Sequence, residues 1–364
     1  MSREQSEVSD VSPDEADRSP GPKPGRRATI KDIAADLGIS HTTVSRALAD
    51  HRHTSAEMKA LVREAAARQG YIPSGPARLM RTAQSTLLGL VVPTTQNEFY
   101  GSAAKVMAQK CAEIGYQLVL MITDDDPELE YRQVQALCQA RATGVAIALT
   151  AAPLPETIAL LKQMPAVQAV RSHANLAMDA VVVDDRRAMR LSMAHLLEGG
   201  HRRIAYLGIS RLHSVGAERW AGVCEALAEA GLSEQSIAAE FTGPHSELPA
   251  EIVGRLMVGA PSALLLGGTS FTIPALSWIQ EKGLRLPDDL SLTCCGDAEW
   301  LPFVGPGLTT ISLGAGETAA ACASLLIERV RGDARKPQPA REAVFISIPP
   351  TLVVRGSTGH PSRP

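Results

Sequence analysis

The stretch Thr29-Ile-Lys-Asp-Ile-Ala-Ala-Asp-Leu-Gly-Ile-Ser-His-Thr-Thr-Val-Ser-Arg-Ala-Leu48 leaves the chain few choices. Thr29, with Asp32 three residues on, forms a capping box in which hydroxyl and carboxylate each serve a backbone N–H that has no helical partner. Ile30, Ile33, Ala34 and Leu37 recur at helical spacing as one apolar stripe. Gly38 then ends the helix, because positive φ comes cheaply only to glycine. Ser40 is placed to cap a second helix whose inward face is Val44, Ala47 and Leu48. Ala34 suits a crossing so close that only a small side chain fits. The opposite face of the second helix carries His41, Thr42, Ser45 and Arg46, all hydrogen-bonding types. This pattern predicts a helix-turn-helix whose second helix enters a DNA major groove. An ordinary αα-hairpin is the alternative.

Charge supports the first reading. Residues 1–22 carry two basic and six acidic side chains, whereas Lys23 to Arg81 carry eleven basic and five acidic ones. A compact basic block on a chain of net charge −3 suits a phosphate-binding module. Apolar residues make up 45 % of the 364, enough for sizeable cores, yet no run of 18 suits a membrane span. The acidic N-terminus lacks the apolar stretch of a secretory signal, so a cytoplasmic protein is expected. Cys111, Cys138, Cys224, Cys294, Cys295 and Cys322 show no metal-ligand spacing and are expected as free thiols, with Cys294-Cys295 in a buried strand.

Taken in order, residues 1–27 are Ser-, Pro- and acid-rich and are expected to be a disordered tail. Residues 28–73 should form the helix-turn-helix domain, with a third helix from Ser55 to about Gln69 burying Leu61, Val62, Ala65 and Ala66. Residues 74–84 follow as a hinge. From Thr86 strands and helices alternate to residue 358, predicting a parallel α/β domain of two similar sheet-based lobes. Residues 359–364 form a short tail.

These motifs together resemble the LacI/GalR family of transcriptional regulators. The resemblance runs from about Ala28 to Thr358, carried by TIKDIAADLGIS and TTVSRAL, the YIP linker, GGHRRIAYLG, Arg219-Trp-Ala-Gly222, LTTI and TLVVRGST. It implies a small helical DNA-binding domain plus a two-lobed α/β domain like the type I periplasmic binding proteins. It further implies a homodimer on a palindromic operator, controlled by a small effector between the lobes, most simply as a repressor. By this resemblance His41, Thr42 and Arg46 read bases, Thr43 and Ser45 are phosphate or packing residues, and Thr29, Ser40 and Tyr71 count with them as DNA-binding positions. Ala77 to Arg81 match a hinge helix that wedges into the minor groove, with Met80 where the family has leucine. Gly75 and Pro76 depart from the family, and a hinge without order in the absence of operator is expected.

The resemblance places the effector contacts of sugar-responsive relatives at Val170, Arg219, Gly268 and Gly296. Three of these four lack the usual polar side chain. A buried hydroxyl without a partner costs roughly 1–3 kcal/mol, so a polyol is disfavoured. Phe99, Tyr100, Trp220, Phe271 and Trp300 supply aromatic surface, Thr269 and Asp297 secondary polar contacts, and Arg171 with Arg219 a clamp for a less-hydroxylated anion. Control by a partner protein instead of a small molecule is the alternative. No P-loop, GxSxG, GxGxxG or HExxH occurs, so neither an enzyme nor a cofactor or metal site is expected. The carboxylate runs Asp124-Asp125-Asp126 and Asp184-Asp185 stand without partner histidines. TGHPSRP, after Ser357, cannot form the heptad helix of family tetramers, so a dimer is expected.

Overall fold

A computed structural model describes residues 28–71, 85–173, 175–243, 250–332 and 342–361. The expected tail at 1–27 and the whole of the expected hinge at 74–84, including Ala77 and Met80, lie outside them. The chain divides into two compact units, residues 1–83 and 84–364.

In the first unit, α1 spans Ile30–Leu37, α2 His41–Leu48 and α3 Ala56–Arg68. The capping box is closed: the Thr29 N–H donates to the Asp32 carboxylate at 2.7 Å, and the Asp32 N–H reaches the Thr29 hydroxyl at 3.4 Å. Gly38 turns the chain at φ 62°, and Ser40 and Ser55 cap the next two helices through Thr43 N and Met58 N. Ile33, Ala34, Val44, Ala47, Val62, Ala65 and Ala66 make the core. Leu61 was expected among them but is 46 % exposed. The inward stripe of α3 runs through Met58, Val62, Ala65 and Ala66, and at about 100° per residue Leu61 falls roughly a quarter of a turn from its centre, on the open edge.

The second unit holds β1 Leu87–Val92, α4 Glu98–Glu113, β2 Gln117–Ile122, α5 Pro127–Gln139, β3 Gly144–Ile147, α6 Pro155–Leu161, β4 Ala166–Val170 and β5 Asp179–Val183. There follow α7 Asp185–Glu198, β6 Ile204–Ile209, α8 Ser214–Glu229, β7 Ala238–Thr242, α9 Ala250–Leu256, β8 Ala263–Leu266, α10 Thr272–Glu281, β9 Ser291–Cys295, β10 Thr309–Ser312, α11 Ala315–Arg331, β11 Phe345–Ile348 and β12 Thr351–Val353. The strands form two six-stranded sheets, ordered β11-β5-β4-β3-β1-β2 and β12-β10-β9-β8-β6-β7. Each sheet with its helices is one lobe.

Two features correct the expectation of an unbroken parallel alternation. β12 runs antiparallel to β10, Ile311 facing Leu352. The long helix α11 lies beyond the Cys294-Cys295 strand, in a stretch where the sequence pattern marks out no particular helix, and packs on α4 and on β3, β4 and β5. Its buried stripe is mostly small, Ala319, Cys322 and Ala323 beside Leu325 and Leu326, and so carries a weak hydropathy signal. The chain crosses between lobes three times: from β5 into α7, from β10 into α11, and from β11 into β12. Cys294 and Cys295 are free and buried on β9.

Candidate functional site

On α2, Val44 and Ala47 are buried while His41, Thr42 and Arg46 are exposed on the opposite face. The hydroxyls around them serve the local backbone: Thr29 bonds Asp32, and Ser40 shares a 2.9 Å hydrogen bond with Thr43 while accepting the Thr43 N–H. Ser45 is half-buried, and Tyr71 packs against the three-helix core. The result is a short helix held at its start by caps, offering two long nitrogen-bearing side chains and one hydroxyl to solvent.

The second candidate site lies between the lobes, where the crossings converge. Asn97 caps α4 through the Phe99 N–H at 3.0 Å, which starts that helix at Glu98. Phe99 and Tyr100 are thereby brought into its first turn, at a small inner chamber of about 40 Å³. Val170, Arg171, Asp185, His213 and Arg219 line the same chamber. Val170 sits at φ 68°, a strained conformation for a β-branched residue, as the chain doubles back to send Arg171 inward.

Both arginines are already partnered, which corrects the expected anion clamp. Arg171 grips Asp125 with two arms, Nη1 on Oδ1 and Nη2 on Oδ2 at 2.9 Å, and Nη1 also donates to the Leu149 carbonyl at 3.1 Å. Arg219 donates from Nε to Asp185 at 2.6 Å and from Nη1 to the Gly267 carbonyl at 2.8 Å. A guanidinium buried without a counter-charge would be costly, and here carboxylates of the chain itself supply that charge. The two acidic runs that looked solitary in the sequence provide these partners. His213 was not anticipated; its Nδ1 is buried with no hydrogen-bond partner, and burial, then the Arg171 charge, hold its pKa below the usual imidazole value.

A wider outer chamber of about 610 Å³ opens beyond Phe99, Thr269, Ser270 and Leu313, which it shares with the inner one. Glu98, Gly296, Asp297, Glu299, Trp300 and Glu317 also line it. The Trp300 indole N–H donates to Glu98 at 2.8 Å and so ties the second lobe to α4 of the first. Asp297 is held by Arg355 and by the Thr310 hydroxyl, each at 2.8 Å.

The glycines read as lost polar contacts have another cause. A Cβ at Gly268 would stand 2.6 Å from the Phe271 ring, and one at Gly296, where φ is 88°, 2.1 Å from the Thr269 methyl. Neighbouring side chains, and at Gly296 also the positive φ, thus exclude a side chain there, and the following residues, Thr269 and Asp297, face the cleft instead. Two expected aromatic contacts are also corrected. Trp220 is packed between Tyr206 and Phe241 in the second lobe's core, with ring centroids 5.5 and 5.1 Å away. Phe271 is fully buried in that lobe's other core. Neither lines either chamber, because an aromatic ring this large on a lobe's inner face completes the core first.

Comparison with known proteins places this architecture. The profile "Bacterial regulatory proteins, lacI family" matches residues 29–74, and "Periplasmic binding protein-like domain" matches residues 193–358. The HTH-type transcriptional repressor PurR of Mannheimia succiniciproducens is 30 % identical over 338 residues, covering 91 % of this chain and 98 % of that protein. The chain belongs to the LacI family of bacterial transcriptional regulators. The HTH-type transcriptional regulator DegA of Bacillus subtilis is 29 % identical, covering 91 % of this chain and 98 % of its own length. In fold, this LacI-family chain is similar to the lac repressor dimer bound to operator and the anti-inducer ONPF. That likeness has a TM-score of 0.77 at 24 % identity, over 92 % of this chain and all of the other. No helix among the described residues is long and apolar enough to cross a membrane.

Proposed function

We propose that this regulator reads a palindromic operator as a homodimer, one α2 per half-site, with His41, Thr42 and Arg46 at the base edges. The observation that carries the reading is the exposed face of α2, where those three side chains stand clear of a core and caps that fix the helix. Residues 28–73 serve as the reading domain and 74–84, with Ala77 and Met80, as the hinge to the minor groove. Thr29, Ser40, Thr43, Ser45 and Tyr71 position the helix or touch phosphates. Action as a repressor follows the name of PurR among its relatives, and a DNA target places that action in the cytoplasm.

A small effector in the interlobe cleft controls DNA affinity in this reading. The cleft is bordered by two of the three crossings, at Asp185 and at Leu313–Gly314, so a ligand there alters the angle between lobes directly. The lac repressor dimer, bound to operator and to the anti-inducer ONPF together, is a precedent in a similar fold for one protein holding both DNA and a small molecule. Selection of bound DNA from random sequence, with and without candidate metabolites, tests this. A two-fold symmetric consensus is the expected result. Thr42→Ala should change the consensus more than the overall affinity; uniform loss on every sequence would make Thr42 a positioning residue only.

A further inference from the structure

We infer that the effector is a basic, amine-bearing molecule, with its ammonium in the outer chamber and a small polar end reaching His213 in the inner one. This rests on the proposal that the interlobe cleft is the effector site, and it reverses the sign of charge expected from the sequence.

Size comes first. An inner chamber of about 40 Å³ holds a few water-sized groups, so only a ligand's head fits there and its body must occupy the outer chamber of about 610 Å³. Charge decides the rest. In the inner chamber each arginine is matched by a carboxylate, Arg171 by Asp125 and Arg219 by Asp185, and neither presents an unmatched charge to an anion. The lining of the outer chamber includes Glu98, Asp297, Glu299 and Glu317, and among its described residues no lysine, arginine or histidine. Arg355, just behind, offsets Asp297 at 2.8 Å. Helix starts at Glu98, Thr272 and Ala315 point positive ends toward the region, each equivalent to roughly half a charge. Three carboxylates against three half-charges leave a balance of about −1.5, which repels carboxylates and phosphates and attracts an ammonium.

Two further features suit that ligand. The Trp300 and Phe99 rings form part of the outer wall, and an aromatic face attracts a cation. In the inner chamber the His213 Nδ1 is buried with no partner in the protein, so a ligand hydrogen bond there would complete it. A carboxylate would find no free guanidinium and would face the glutamates instead.

Calorimetric titration of the full chain with isosteric pairs tests this: glucosamine against glucose, putrescine against butanediol, with gluconate as the anionic comparison. The amine of at least one pair should bind about tenfold more tightly than its hydroxyl isostere, as a charge-assisted contact implies, and gluconate should not bind. The exposed double variant Glu299→Gln/Glu317→Gln should shrink that ratio, and His213→Ala should weaken amine and hydroxyl members alike. Equal affinity within each pair, no binding by either amine, tighter binding of gluconate, or an unchanged ratio in the double variant would each overturn the inference. Hydroxyl isosteres that bind as well as amines, and that alter operator affinity, would leave the effector-controlled regulator standing while removing the amine. Binding of any probe without change in DNA affinity would instead count against the regulatory reading.

Discussion

Asp125→Asn isolates the ion pair that closes Arg171 to an external anion. Asparagine keeps the shape of the side chain and tolerates the positive φ of 59° at this position, so the substitution removes charge with little backbone strain. Arg171 is only 4 % exposed, and its remaining named acceptor is the Leu149 carbonyl. Stranding a buried charge costs about 3–5 kcal/mol, and the amide oxygen, still accepting one hydrogen bond, returns about 1 kcal/mol. The expected loss is therefore about 2–4 kcal/mol, a large share of a typical domain stability of about 5–15 kcal/mol. Urea unfolding followed by circular dichroism measures it. Asp50→Asn is the matched control: φ there is 55°, and Asp50 pairs with Lys59 at 3.0 Å, but that carboxylate is exposed. No measurable loss is expected from it, because solvent screens such pairs. Formate should stabilise Asp125→Asn more than the parent protein, since the stranded guanidinium then accepts an external carboxylate. An Asp125→Asn protein as stable as the parent, or no worse than Asp50→Asn, would show that Arg171 does not depend on Asp125, and the anion clamp would return as a reading of the cleft.

Other outcomes follow from single contacts. Glu130 on α5 is fully buried, accepting from the Thr150 N–H and hydroxyl at 2.7 and 3.2 Å, and burial pushes its carboxyl from 4.5 up to about 7. Its folded-state pKa lies above the unfolded one, so its contribution is full below about pH 4.5 and is lost as pH rises toward 7, on the order of 3 kcal/mol in all. Glu130→Gln should flatten that slope in unfolding measured across the same pH window; an unchanged slope would place the titration elsewhere. Gly222→Ala puts a Cβ 1.9 Å from the Arg186 carbonyl oxygen between α7 and α8. Overpacking of about 1–3 kcal/mol should outweigh the helix-propensity gain of about 1 kcal/mol and lower Tm, so a rise in Tm would mean the helices can part freely. Ser40→Ala removes the α2 cap and should cost about 1 kcal/mol in unfolding of residues 28–71, while equal stability would show the cap to be dispensable.

Where the controlling interaction is local, the sequence alone carried the answer. The caps of α1, α2 and α3 join residues three apart, and Gly38 needs only its own φ, so helix limits in the reading domain could be read from spacing. Apolar runs bounded by turn residues likewise gave most of the parallel strands, and motif order pointed to the family. Tertiary structure decided the charge of the cleft. Asp125 lies 46 residues from Arg171 and Asp185 lies 34 from Arg219, and no periodicity links them. The same holds for Gly296, whose missing side chain answers to the methyl of Thr269 on a separate segment rather than to a ligand, while at Gly268 the obstructing ring of nearby Phe271 is held in place by the lobe's core. Trp220 and Phe271 were assigned outward for the same reason, since hydropathy reports that a ring is buried but not against what. Local backbone preference is written in neighbouring residues, whereas pairing of buried charges and crowding beside the cleft exist only once distant segments meet.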